Sequence, residues 1–485
     1  MIEIQTKIHD KFSVEFKVGF SGRDNAKMDY FDVNSWIFIP NGLYINKNTY
    51  SKDRFYTDMK SNIRLITPSF SLKEMVEGTD APIQHVLNSL HNKNEFEFQL
   101  KLFGSIFKSS IRDESTDIIH EKNKDILNQR CAKYIYDLQR VMQSYRAIYD
   151  KIDPKDESAL AKFRFTDEFI SHQMQIQTMK IVKALQHLEG MQDTTKILID
   201  SLKEETDYKI SKGYSHVIIN DDANNRKLVN HHSKLKKYIE SALFLNVNTT
   251  QDGQAVKQIS FSLAAGLAMM VYLLITTLFQ KYWGNYPNLI FFILVIFYIL
   301  KDRIKELTRW MFAYQLKDKY YDNKTVISIK DNQVGILKEG MDFISEDKVP
   351  SEVMKLRGRT RLEVENKLLD EKIILYRKRV EIDNDTLRNQ YNYEFKGIND
   401  IIRYHVNYLT KKADNPETLI DCLDEDGNVQ TIKAERVYTL HFVLQFKWED
   451  QIEYKDFHIN VNRNGIVDIT SSSLQTLCHK LPSRC

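Results

Sequence analysis

Lys355, Arg357, Arg359 and Arg361 occupy alternate positions around Gly358. In an extended segment they line one face and suit an anion, whether a headgroup, a nucleotide or an RNA phosphate. In a helix the same residues scatter and describe a solvated surface. A second candidate is Arg226-Lys-Leu-Val-Asn-His231, with His232 next in the chain. It sets a fixed cation beside an imidazole that can move protons near neutral pH. Asp421 to Asn428, DCLDEDGN, has the look of a calcium loop. Aligning Gly427 with the loop glycine puts Cys422 at the first ligand position and Lys433 at the bidentate acid, both wrong for an oxygen cage. That segment therefore reads as a β-turn. The sequence has no phosphate loop, no dinucleotide-binding glycine pattern, no zinc-protease helix, no nucleophile elbow and no kinase signature. No metal and no cofactor is expected, and the reading leans away from an enzyme.

The spacing of Arg226 and His231 resembles the R-x4-H motif of the HEPN ribonucleases, over six residues. The resemblance implies an Arg and a His on a helical domain that act on RNA, usually across a dimer. Arg226 and His231 would then be the catalytic candidates. The basic stretch around them is equally explained by anionic headgroups, and nucleic acid is not the expected partner.

The positions that must hold such residues are arranged around an apolar centre. No charged residue lies between Lys257 and Lys281, and ISFSLAAGLAMMVYLLITTLF fills the middle. A bilayer core of roughly 30 Å needs roughly 20 apolar helical residues, and this run suffices. A second uncharged run, Tyr282 to Leu300, has the apolar centre NLIFFILVIFYIL. It spans only if Tyr282, Trp283 and Tyr286 lie in the interface, which suits their half-polar rings. Lys301, Arg303 and Trp310 continue that interface on the far side. The flanks carry many Lys and Arg while the loop holds only Lys281, so both termini are expected in the cytoplasm, at the plasma (inner) membrane. Ser262-x-x-x-Gly266 and Ala264-x-x-x-Ala268 offer small residues on adjoining faces, for packing within the hairpin or for self-association.

Elsewhere the composition is that of folded globular material, with 28% charged and 42% hydrophobic residues and a net charge of +3. Four cysteines form neither a zinc spacing nor a disulfide framework, which suits a reducing compartment. The opening MIEIQTKIHDKF carries no apolar signal core. Residues 2 to 20 alternate with period two around a break at His9-Asp10-Lys11, predicting two strands. SWIFIP and Ile63 to Ile66 predict two more. Leu127, Cys131, Tyr134, Leu138, Val141, Tyr145, Ile148 and Ile152 step by four and three, predicting an amphipathic helix that stops at Asp153-Pro154. A second helix follows, and then another capped by Asp193; the wide apolar stripe points to a bundle. Asn248 to Gln254 reads as a polar linker, while the helix leaving Leu300 runs unbroken to about Tyr320. Thr325 to Ile329 predicts a strand, Ser351 to Leu369 a partly helical stretch, and Ile373 to Ile382 strand or helix. From Leu419 the pattern is β, with Asp426-Gly427 and Asn464-Gly465 at hairpin turns.

The expected fold is an α+β integral membrane protein. It has a β-rich part over 1–80, a helical bundle over 81–248, a transmembrane hairpin over 256–300, a helical extension over 301–322, and an α+β domain over 323–485 ending in a β-meander. The expected function is a non-enzymatic, membrane-anchored scaffold, sensor or effector facing the cytosol. Its partners would be anionic lipid, a cytosolic partner or ligand, and a second copy of itself. The alternatives are an oligomeric channel or membrane-permeabilising effector, and a membrane-tethered ribonuclease.

Overall fold

The computed structural model describes residues 2–23, 26–188, 190–283, 287–317, 320–329, 332–359, 371–389 and 393–471. In chain order the strands are β1 (Ile2–Asp10), β2 (Ser13–Ser21), β3 (Met28–Pro40), β4 (Met59–Leu65), β5 (Asn246–Gln251), β6 (Asn323–Ile329) and β7 (Asn332–Ile344). They continue with β8 (Glu371–Asp383), β9 (Gly397–His405), β10 (Glu417–Leu423), β11 (Val429–Glu435), β12 (Tyr438–Trp448), β13 (Gln451–Asn462) and β14 (Gly465–Thr470). The main helices are α1 (Lys52–Asp58), α2 (Pro82–Asn88), α3 (Lys93–His120), α4 (Lys124–Arg146), α5 (Glu157–Leu185), α6 (Gln192–Lys212) and α7 (Asp222–Glu240). After these come α8 (Gln254–Trp283), α9 (Pro287–Lys317) and α10 (Ser351–Arg357).

The chain divides into two compact units. One comprises Met1–Ile63, Asn246–Leu387 and Asn399–Cys485; the other comprises Arg64–Leu245 and Arg388–Ile398. The first unit is built on two large sheets, ordered β1-β2-β9-β4 and β14-β13-β12-β3-β8-β7-β6-β5, with β10 and β11 forming a separate two-stranded one. Phe16 and Phe20 of β2 reach across to Phe442 of β12 and Phe31 of β3, with ring centroids 5.7 and 5.4 Å apart. The predicted SWIFIP strand is the inner part of β3, which runs from Met28 and pairs with β12 on one side and β8 on the other. Its Trp36, Ile37, Phe38 and Ile39 are all buried, so the segment is hydrophobic on both faces and belongs inside a sheet. N-terminal and C-terminal strands thus share one sheet. Asp426-Gly427 lies within the five-residue turn 424–428 between β10 and β11, while β13 and β14 join through Arg463-Asn464 and Gly465 opens β14 opposite Asn462.

The second unit contains the helical bundle. The stripe predicted from the four-three spacing is buried from Leu127 through Ile152, but α4 ends at Arg146, seven residues short of the predicted stop at Asp153, and Ile148 and Ile152 are buried beyond its end. Asn92, Asn123 and Asp156 cap α3, α4 and α5 through their side-chain oxygens. Asp193 does not cap α6; that helix opens at Gln192 with Met191 before it, and continues to Lys212.

The expectation of an integral membrane protein with a two-helix transmembrane hairpin is not supported. Among the described residues one helix is long and apolar enough to cross a membrane, over Gln254–Leu278. The second run fails for a geometric reason. Tyr282 and Trp283 complete α8, so they are not available to lengthen α9, which begins at Pro287. From there to Leu300 is 14 residues, roughly 21 Å of helix, short of a core of roughly 30 Å. Then Lys301, Asp302 and Arg303 follow. Nor is the segment before α8 a loose linker: Asn246–Gln251 is edge strand β5, paired antiparallel with β6. The α8–α9 pair is therefore an insertion between two neighbouring strands of one sheet.

Candidate functional site

Two places in the molecule combine unusual exposure or burial with chemistry, one in each unit. In the helical unit, α5 carries a run of polar residues, Asp167, Glu168 and Ser171, that are all buried. Asp167 accepts hydrogen bonds from Arg146 Nε at 3.2 Å, Tyr208 Oη at 2.7 Å and Tyr214 Oη at 2.9 Å. Arg146 also presents its fork to Glu205, at 3.2 and 2.6 Å, and lies 3.5 Å over the Tyr208 ring. Ser171 donates to the same Glu205 carboxylate. Two buried carboxylates share one guanidinium, so each of them has a cationic partner. The Asp167 charge, after burial, raises the phenols of Tyr208 and Tyr214 above their ordinary range.

The next residue of α5, Glu168, accepts from the Ser215 amide at 3.0 Å and sets Oε2 2.9 Å from Nε2 of His231. The imidazole is 38% exposed and the carboxylate 8%. This is the geometry of a histidine oriented by a buried acid, able to pass a proton to something in solvent. Behind it, His232 stacks on His172 with ring centroids 3.5 Å apart. Lys209, 1% exposed, holds the Gln175 side-chain oxygen at 3.0 Å. Burial and then the Lys209 charge press His172 down to about 4. Burial, His172 and Lys209 press His232 down to about 3. Both rings are therefore neutral in the fold at neutral pH, and Nε2 of His232 is buried without a hydrogen-bond partner among the described residues.

Arg226 shares α7 with His231 but not its surroundings. It lies in the first turns of the helix, where its Nε donates to the Asp222 carbonyl at 3.3 Å. Five residues at about 100° each separate the two side chains by about 140° around the axis. A single α7 does not aim both at one phosphate.

The alternating cations lie in the sheet unit. Lys355 and Arg357 are helical, on α10, so the extended arrangement that would align them is not adopted there. Arg357 is buried and forks onto Glu371, with contacts from 2.7 to 3.3 Å. Arg359 bonds Glu346 at 2.9 Å and Glu371 at 3.3 Å. Two of the four cations thus already meet carboxylates. Arg361 lies outside the described residues, as does Tyr286.

The other place is the surface of α8 and α9. Ala264 and Ala268 are buried, while Gly266 has open space where a Cβ would stand. The two small-residue faces therefore differ. One is covered, and Ser262 and Gly266 line an open groove with Ile259, Leu263, Leu267 and Met270. Leu263, Met270, Leu274, Phe291, Phe292, Ile296 and Ile299 are exposed. Lys301 lies over the Tyr298 ring at 4.0 Å, Arg303 meets Glu306 at 3.1 Å, and Trp310 is exposed. Tyr282 and Trp283 form the last residues of α8. Sequence reading found this apolar surface and His231, and missed Glu168, Lys209 and His172, because only the fold brings α5, α6 and α7 together.

No protein-family model, no curated protein and no solved structure matches the chain.

Proposed function

We propose that this is a non-enzymatic binding protein that docks on an anionic lipid surface through the exposed apolar side chains of α8 and α9. The observation that carries the reading is the extent of that surface: Phe291 and Phe292 are 64% and 66% exposed, and large apolar residues are exposed on several sides of α8. Contiguous apolar surface of this kind marks an interaction site, because water contact costs about 25 cal/mol per Å². Lipid is favoured by charge. Between Gln254 and Met311 stand six basic residues against two acidic ones, in a chain whose whole net charge is +3. Each cation near an anionic leaflet contributes about 1 kcal/mol. The reading concerns contact with lipid and includes no crossing of it.

Vesicle flotation tests it. The full chain floats with vesicles containing phosphatidylserine, floats less with neutral ones, and loses at least about tenfold in binding on Leu263→Glu with Leu267→Glu, given the cost of burying charge in apolar surroundings. Failure to float, together with a stable soluble oligomer dispersed by the same change, assigns the surface to a second copy and ends the lipid reading.

A second reading rests on the Glu168–His231 pair, a half-exposed imidazole held by a buried acid. Together with the HEPN-like spacing it supports ribonuclease chemistry, with His231 as the proton-transfer group. Because Arg226 diverges from His231, the reaction would need two protomers. RNA cleavage that persists in His231→Ala ends that reading.

A further inference from the structure

Between the two sheets of the first unit lies a set of groups that neither reading uses. Lys378 of β8 is 1% exposed and Asp400 of β9 is fully buried. The amine contacts the Asp400 carboxyl directly, and Glu339 Oε1 stands 3.1 Å from the same Nζ. Glu339 and Lys378 are paired across the β7–β8 ladder, so the backbone holds them together. Ser61 donates to Asp400 Oδ1 at 2.5 Å, and Tyr376 donates to Glu339. Each carboxyl is thereby turned to face the lysine. The surroundings are apolar: Phe16, Phe20, Val33, Ile402, Phe442 and Phe446 line the same cavity.

We propose that Lys378 and Asp400 join in an intramolecular amide, formed without any other protein or cofactor, with Glu339 carrying the protons. The reacting form has a neutral amine facing a protonated Asp400 carboxyl; it is reached from the resting ion pair, in which burial opposes the Lys378 charge while Asp400 and Glu339 hold it, by moving one proton within the cluster. Lys378 first passes a proton through Glu339 to Asp400, which leaves a neutral amine, a protonated carboxyl and an ionised Glu339. Nζ then attacks Cγ of Asp400, forming the N–C bond and an oxyanion. Glu339 next takes a proton from the nitrogen and returns it to one carboxyl hydroxyl, whose C–O bond breaks. The products are one amide and one water, with Glu339 unchanged and nothing oxidised or reduced. The cavity leaves about 30 Å³ to the centre of a water-sized sphere, room for the released molecule. The amide ties β8 in the eight-stranded sheet to β9 in the four-stranded one. A plain buried ion pair is the alternative arrangement of these groups, and it differs in mass.

The experiment is intact mass measurement of the denatured full chain, followed by tryptic mapping. The expected mass is lower than the sequence mass by one water, about 18 Da. Trypsin should fail to cut after Lys378, and a branched peptide should contain Asp400. Glu339→Gln and Lys378→Arg should each restore the full mass with the circular dichroism of the folded protein intact. An unmodified wild-type mass overturns the proposal. So does a water lost elsewhere, as in a succinimide at Asp426-Gly427, and so does a mass deficit that survives Lys378→Arg. A branched peptide that still forms in Glu339→Gln overturns the role given to Glu339.

Discussion

His172 of α5 and His232 of α7 lie ring on ring, 3.5 Å between centroids and 26° between planes, in the interior of the helical unit. Beside them stands Lys209. Both imidazoles titrate well below their ordinary value of 6.5, to about 4 and about 3, so the folded state binds their protons less readily than the unfolded chain. The unfolded state then gains protons first as pH falls. Stability should hold above pH 6.5 and decline from there to about 3, in urea midpoints taken across that range. His172→Phe keeps a ring in the stack and removes one proton site. It should flatten the decline; an unchanged slope would sink this account.

Arg146 pairs with both Asp167 and Glu205, whose carboxylates are nearly fully buried. Removing it strands two interior charges, so Arg146→Ala should cost about 3–5 kcal/mol in chemical denaturation. Arg146→Lys keeps a cation but loses the fork that reaches two carboxylates, and should recover only part of that loss.

Gly465 closes the β13–β14 turn at φ +137°, and a Cβ there would stand 2.3 Å from the Lys11 carbonyl oxygen. That oxygen accepts the Ile466 amide at 2.8 Å. Gly465→Ala meets both a backbone penalty and a carbonyl that cannot move without losing its bond. A loss of more than about 1 kcal/mol is expected. Thermal melting checks it against Gly427→Ala, whose site is open but whose φ is +80°.

The two small-residue faces of α8 should respond oppositely. Ala264 is buried, and Ala264→Leu should cost about 1–3 kcal/mol through overpacking. Gly266 faces open space, and Gly266→Ala should add about 0.5–1 kcal/mol from helix propensity alone. A destabilised Gly266→Ala would mean that something covers the groove.

Much of the fold was legible wherever one period dominated. The four-three spacing of α4 names its buried residues directly, because that helix has one wet face, whereas the alternation of β12 names only some of them: Val443 and Gln445, on its polar side, are buried as well. The polar stretch before α8 was misread because an edge strand with every residue exposed carries no hydrophobic alternation. The second apolar run was misread because helix ends, not run lengths, decide what spans; α8 takes Tyr282 and Trp283. The candidate sites were half legible. His231 stood out by spacing, whereas Glu168 lies 63 positions earlier and is selected only by packing. Glu339, Lys378 and Asp400 likewise look like ordinary charges in strands until two sheets close over them.

The α8–α9 pair leaves and re-enters a sheet at adjacent positions. Gln251 faces Asn323 in the ladder, the Asp252 amide donates to the Asp322 carbonyl at 3.3 Å, and Asp322 is held by Lys52 at 2.7 Å and Tyr56 at 2.9 Å. Topologically, the helices occupy the place of a hairpin turn. They form a cassette: joining Asp252 to Asp322 through a two-residue Asn-Gly turn leaves every strand with its neighbours. Whatever the helices touch can thus be exchanged by swapping one segment, without redesigning the scaffold that carries it.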